Sequence, residues 1–261
     1  MKSISVFLAD WQVLFREGIH FTLSGEEDII VIGEATSNDE ALSFIEANTP
    51  DIAVLNTDHN EFSGINLTRH VSRNIPSVSI ILITDNENTD TYLEALYCGA
   101  SACITKNIGP EEIVELIRKI AAGSKPISEV LIRPEIATRI VQEFNNFSSL
   151  SKEVDDLLAS LSGIESKILQ SAADGNNIEQ ISTSLEIDTD AIYQHLDTIL
   201  AKLISNNHDR EIIEVAQRKI TTILTRTKRS KKEPDYVQRD EFDAFKESIK
   251  ERFQQIISEL G

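Results

Sequence analysis

The 261-residue sequence predicts an α/β doubly wound domain on a five-stranded parallel sheet, then an all-α region and a helical C-terminal extension. Three observations carry this. Short apolar runs alternate five times with helical patterns over the first 125 residues, which implies a parallel sheet with helices on both faces and right-handed crossovers. From residue 161 onward the apolar spacing is helical. Beyond Pro234 a last apolar stripe recurs at heptad spacing.

Residues 4–9 form the first strand pattern. Residues 13–24 carry Leu14, Phe15, Ile19, Phe21 and Leu23 at helical spacing, and Gly25 can end that helix. A β-branched strand lies within 28–33. Ser37 or Asn38 can cap a helix bearing Ala41, Leu42, Phe44 and Ile45. In 50–56, Ile52, Ala53, Val54 and Leu55 are an unbroken apolar run, as in a central strand covered on both faces. Asn56 leaves that strand at the carboxyl edge, where open α/β sheets place their chemistry. A helix at 64–73, a strand at 78–83, a helix at 88–98 stopped by Gly99, a strand at 102–105 and a helix at 110–122 opened by Pro110 complete the pattern.

The length suits about two domains, and 41% hydrophobic residues can build true cores. No apolar run approaches the roughly 20 residues that span a bilayer, and the N-terminus shows no leader pattern, so no membrane contact is expected. Cys98 and Cys103 are the only cysteines, too few for a disulfide framework or a zinc site, so a reduced cytoplasmic protein is expected. The net charge is −18, yet an acidic chain can bind nucleic acid through a local basic surface.

The motifs Leu8-Ala9-Asp10, Phe15-Arg16-Glu17-Gly18, Pro50-Asp51, Ile83-Thr84, Gly99-Ala100-Ser101 and Thr105-Lys106 fall in the order and spacing of a response-regulator receiver domain. The resemblance is closest to the NarL/LuxR-type branch and covers about residues 1–125. It implies a switch in which an aspartate ending the third strand is phosphorylated, with Mg²⁺ held by that aspartate and an acidic pair after the first strand. Here the acceptor position is Asn56, whose amide lacks the anionic oxygen nucleophile. Asp10 survives from the acidic pair, but its neighbour is Trp11, and indole offers no oxygen to a hard cation. Thr84 and Lys106 match the phosphate-sensing Thr and Lys. Asp85 stands where the family usually has a small residue. The reading is a pseudo-receiver with a degenerate acceptor pocket of Asp10, Trp11, Asn56, Thr84 and Lys106. Trp11 caps the vacated pocket as packing, and Lys106 can pair with Asp10.

Residues 126–150 read as a linker helix and tether: 123–126 break the last receiver helix, 133–145 are helical, and 144–151 are loose enough for a hinge. Residues 161–203 resemble the LuxR-type helix-turn-helix, with Glu165, Gly175, Ile192, His195, Ile199, Lys202 and Leu203 matching its pattern. Residues 209–220 match that family's fourth helix, which serves dimer contact. Independently of the resemblance, Ile164, Ile168, Leu169 and Ala172, and Ile192, Leu196, Ile199, Leu200 and Leu203, have helical core spacing. Thr189, Tyr193, Gln194, Thr198 and Lys202 are the candidates for touching DNA. Against them, Asp188, Asp190 and Asp197 add negative charge where a recognition helix needs cations.

The helix-turn-helix domain is assigned to residues 151–222, and a basic linker with an amphipathic helix to 223–261. Arg226, Lys228, Arg229, Lys231 and Lys232 form the one basic cluster, a candidate electrostatic arm on DNA. Phe242, Phe245, Ile249, Phe253, Ile256 and Leu260 form a seam fit to dimerise the chain or dock on a partner. No phosphate loop, nucleophile–base pair or metal cluster is apparent, so neither enzyme activity nor a cofactor is expected. The leading expectation is a dimeric, phosphorylation-independent, DNA-binding transcriptional regulator of the two-component type. The alternative is an adaptor that keeps both folds, binds no DNA and meets a protein partner through its receiver or terminal helix. A third reading places a small molecule near Asp10, Trp11, Asn56 and Thr84.

Overall fold

The computed structural model describes residues 3–57, 63–147 and 159–227, with the backbone alone at 146–147 and 210–227. Its contacts divide the chain into two compact units, residues 1–204 and 205–261.

The first unit opens with five βα repeats. Strands β1 (Ile4–Ala9), β2 (Ile29–Ala35), β3 (Ile52–Asn56), β4 (Ser79–Thr84) and β5 (Ala102–Thr105) alternate with α1 (Val13–Ser24), α2 (Asn38–Asn48), α3 (Gly64–Asn74), α4 (Thr89–Cys98) and α5 (Pro110–Ala121). All strand pairs are parallel, in the order β2-β1-β3-β4-β5. The order reverses between β1 and β3, so their carboxyl ends open the crevice typical of such sheets. That crevice holds Asp10 and Asn56.

Strand residues alternate between two cores, as the two-residue pleat requires. Val6, Leu8, Ile52, Val54, Ile81 and Ile83 pack under α1 and α5 with Ile19, Leu23, Ile113 and Ile117. Phe7, Ala53, Leu55, Ile80 and Leu82 face the other way, toward α2, α3 and α4. Phe7 stacks on Phe44 with ring centroids 4.7 Å apart. Phe44 also sits over Gly33, where a Cβ would come within 2.3 Å of the ring. Ser37, Ser63 and Asn88 cap α2, α3 and α4 through their side chains. Gly99 ends α4 at φ +86°, the left-handed conformation that favours glycine.

The second core does not stop at the receiver-like repeats. It runs through a 3-10 helix at Pro126–Ile132, unforeseen from sequence, into α6 (Pro134–Phe147) and on to the following helices. These are α7 (Gly163–Ala173), α8 (Ile178–Leu185) and α9 (Thr189–Thr227). Ile127, Leu131, Ile136 and Ile140 join Ile168, Leu169, Ile181, Ile192, Leu196 and Leu203 in one buried cluster. Over 126–147 the linker is therefore packed structure. The hinge expected from residue 144 does not begin there, because α6 continues to Phe147; 148–158 lie outside the described residues.

Capping boxes set the starts of α7 and α8. The Ser162 hydroxyl accepts from Glu165 N–H while the Glu165 carboxylate accepts from Ser162 N–H, and Asn177 and Gln180 repeat the exchange. The separate fourth helix expected at 209–220 is a correction: α9 is one helix of 39 residues. Residues 189–227 contain neither Gly nor Pro, so nothing in the chain ends it.

Candidate functional site

The pocket is built by three strand ends. Parallel register sets Ala9 beside Leu55 and Asn56 beside Ile83, so Asp10, Asn56 and Thr84 converge, each almost fully buried. Asn56 Nδ2–H donates to Asp10 Oδ2 at 2.7 Å, and Gln12 N–H donates to Asp10 Oδ1 at 2.7 Å. Both carboxylate oxygens of Asp10 thus accept from the protein. The opposite amide rotamer would set the Asn56 carbonyl oxygen against the carboxylate, so the hydrogen bond orients the amide. The space between Leu8, Asp10, Phe15, Arg16, Asn56 and Ile83 is about 10 Å³, room for one water at most.

Lys106 follows β5, where Thr105 pairs with Thr84, so the next residues of the two strands are neighbours. Lys106 Nζ lies 2.7 Å from Asp85 Oδ1 and 2.9 Å from Gln12 Oε1, but 3.9 Å from Asp10 Oδ2. The expected pairing with Asp10 is present at the longer distance, and Asp85, not expected, is the nearer anion. The Thr84 hydroxyl turns onto its own loop, bonding Asn86 O at 3.1 Å and Asn86 N–H at 3.2 Å. Trp11 is 39% exposed and does not line the small cavity; its ring lies 5.9 Å from Lys106 Nζ.

Arg16, unremarked as a site residue in sequence, is buried beneath this edge. Its Nη1 donates to Asp10 O at 2.7 Å and its Nε to Glu34 Oε2 at 2.6 Å. Burial opposes the Glu34 charge, but His20 and Arg16 outweigh it and hold the carboxyl below its ordinary range.

The receiver fold implies a Mg²⁺ site, and the donor set does not fit one. Mg²⁺ demands near-octahedral oxygen ligands. Among the described residues Asp10 is the one carboxylate between these strand ends, each of its oxygens already accepting an N–H, with an indole and an amide N–H where further oxygens are needed. For the third reading, the cavity that Asp10 and Asn56 line holds only about 10 Å³ among the described residues.

The helical region presents a second candidate surface. Asp188, Asp190, Gln194, Asp197 and Thr198 are exposed on and beside α9, and Tyr193 is 38% exposed. The Thr198 hydroxyl donates back to Gln194 O at 2.9 Å, and that of Thr189 to Asp188 at 3.2 Å. Lys202 is not turned outward: its Nζ donates to Glu165 Oε2 at 2.7 Å, and Glu165 is buried. Burial opposes the Glu165 charge, but Lys202 and the Ser162 N–H outweigh it and lower its pKa. Thr189 and Tyr193 share a cleft of about 490 Å³ with Glu129, Ile132, Arg133 and Asn177. Burial, then the charges of Glu129, Glu179 and Asp190, raise the Tyr193 pKa. The side chains of Arg226, Lys228, Arg229, Lys231 and Lys232 and the seam from Phe242 to Leu260 lie outside the described residues.

Sequence reasoning missed the residues that join receiver and linker. Arg133 Nη1 meets Glu87 Oε1 at 2.9 Å, its guanidinium lies 4.3 Å from the Tyr92 ring centroid, Arg139 pairs with Asp90, and the Tyr97 hydroxyl donates to Glu143. Only the spacing of α4 and α6 as facing helices could have suggested them. Among the described residues no helix is long and apolar enough to cross a membrane.

Comparison with known proteins agrees with this architecture. Residues 6–118 match the response regulator receiver domain family. The transcriptional regulatory protein YhcZ of Bacillus subtilis is 28% identical over 204 residues, covering 77% of this chain and 89% of its own. The DNA-binding transcriptional activator DevR/DosR of Mycobacterium tuberculosis is 26% identical over 200 residues, covering 77% and 88%. Among solved structures, the receiver domain of the Mycobacterium tuberculosis NarL regulator covers 47% of this chain and 99% of its own at 28% identity and TM-score 0.46. Residues 6–118 are thus a response regulator receiver domain, and over about three quarters of its length the chain is similar to transcriptional response regulators of NarL/LuxR type.

Proposed function

We propose that this chain is a DNA-binding transcriptional regulator whose receiver works without phosphorylation. The observation that carries the second half is the Asn56–Asp10 hydrogen bond: the acceptor position presents an N–H donor where a nucleophilic oxygen is needed. The first half is supported by a relative described as a DNA-binding activator and by a retained three-helix unit with capped starts and a buried core. We keep the division read from sequence: receiver 1–125, linker 126–150, helix-turn-helix domain 151–222 and tail 223–261. Thr189, Tyr193, Gln194 and Thr198 are the base-facing candidates, and the Arg226–Lys232 cluster supplies the phosphate contacts. Lys202 is left out of that set because Glu165 holds it.

Action as a dimer is supported by α1, where Leu14 is 88% and Phe21 84% exposed beside an apolar cleft of about 630 Å³ lined by Val13, Phe15, Ile19, Pro110 and Ile113. The competing reading, a protein-interaction adaptor, is favoured by the acidic face of α9 and by the cleft that sets Thr189 and Tyr193 against the linker.

Fluorescence anisotropy of the full chain with genomic fragments, including its own promoter, at low and moderate salt decides between them. Saturable binding that weakens steeply with salt supports the regulator. Alanine at Arg226, Lys228, Arg229, Lys231 and Lys232 should flatten the salt slope. Absence of binding even at low salt supports the adaptor.

A further inference from the structure

We infer that Asp85 is a built-in anion for Lys106, and that this pair orders the β4–α4 loop so that Glu87 reaches Arg133 and holds the linker. The inference rests on the reading that phosphate does not drive this receiver, and extends it by naming what occupies the lysine instead.

The register of β4 and β5 brings the two groups together. Thr84 pairs with Thr105, and Lys106 N–H donates to Thr84 O at 3.1 Å. Asp85 and Lys106 are thus the first residues past paired strand ends, and their side chains close at 2.7 Å. The loop they tie is four residues long, from Asp85 to the Asn88 cap of α4. Both interactions of Asn86 with the Thr84 hydroxyl lie within it.

Two residues past Asp85, Glu87 points to the linker. Its carboxylate accepts from Arg133 Nη1 at 2.9 Å and from the Tyr92 hydroxyl at 3.1 Å, while the Arg133 guanidinium stacks on the Tyr92 ring. Asp90, in the first turn of α4, takes Arg139 of α6. Arg133 also lines the cleft with Thr189 and Tyr193. One short loop therefore carries the anion on Lys106 and the anion on the linker arginine beside the recognition helix. A loop so short transmits the loss of one anchor to the other.

Amide hydrogen exchange on the full chain tests this with Asp85→Ala, Lys106→Ala, the double variant and Asp85→Glu. The reporters are the amides of Arg133 and Ala137, which donate to Val130 O and Arg133 O. Each alanine substitution should speed their exchange by up to about fivefold, the scale of a half-exposed ion pair. The double variant should add nothing, and Asp85→Glu should keep near-native protection. Glu87→Ala should speed the same amides while leaving the Trp11 emission, next to Lys106, unchanged. Faster exchange confined to 84–88 with the linker amides unmoved would overturn the relay, as would additive effects of the two alanines. These readouts use no DNA, so they fail or succeed independently of the anisotropy titration. Phosphate incorporation from acetyl phosphate by the wild-type chain would instead overturn the reading beneath.

Discussion

Asn56 and Asp10 are joined by a 2.7 Å hydrogen bond at the point where the sheet order reverses. Restoring the ordinary acceptor is therefore predicted to harm the fold. Asn56→Asp places two carboxylates at hydrogen-bond distance in a buried cleft, where they cannot both ionise cheaply. One folded-state pKa must rise above its unfolded value, so the penalty is full at neutral pH and shrinks as pH falls through that raised value. Urea unfolding at pH 7.5 and pH 5 should show a larger loss for Asn56→Asp than for Asn56→Ala at the higher pH, and convergence at the lower. Asn56→Ala itself leaves one oxygen of Asp10 without its donor, at about 1–3 kcal/mol.

Gly64 opens α3 directly under the same strand end. A Cβ there would lie 2.2 Å from Asn56 O, a backbone atom that cannot swing aside. Gly64→Ala should destabilise by about 2 kcal/mol or more through forced backbone movement, measured by chemical denaturation. Gly18→Ala, which meets nothing within 4 Å, is the matched control and should be neutral or slightly stabilising.

Much of this was legible because it is local. The apolar run at β3, the cap at Ser37 and the stop at Gly99 each depend on a few adjacent residues, and each was visible as a pattern. The pairing of Lys106 with Asp85 was not, because it depends on β4 and β5 being neighbours in the sheet; Asp10 looked the better partner while its engagement by Asn56 and Gln12 was hidden. The unbroken α9 was legible in principle, since 189–227 lack Gly and Pro, but the family pattern drew a break there. Lys202 read as a phosphate contact because a lysine on a recognition helix normally is one, and only the folded arrangement reveals the buried Glu165 beneath it.

Cys98 is buried in the α4 core, and that burial pushes its thiol up to about 12. The thiolate is the reactive form, so Cys98 should resist thiol reagents at pH 8 in the native protein. Its labelling, followed by mass spectrometry, should track unfolding in urea. Rapid labelling of Cys98 without denaturant would contradict the packing of α4 against the sheet.

The Lys202–Glu165 pair ties α9 to the first turn of α7 and gives the helical region a specific acid sensitivity. The Glu165 carboxyl is held below its ordinary value of 4.5, so the folded chain takes up that proton less readily than the unfolded one. The stability it contributes is complete above pH 4.5 and is lost as pH falls through the lowered native value. Lys202→Met removes the cation and strands a buried carboxylate, at about 3 kcal/mol near neutral pH. It also raises the Glu165 pKa, so the variant should lose less stability than wild type on acidification toward pH 4. Thermal melts of the two proteins should therefore draw together as pH drops. If Lys202 acted instead as a free phosphate contact, the substitution would leave the melts alike at every pH and reduce the salt slope of DNA binding by about one. The 2.7 Å contact with a buried carboxylate predicts the first pattern.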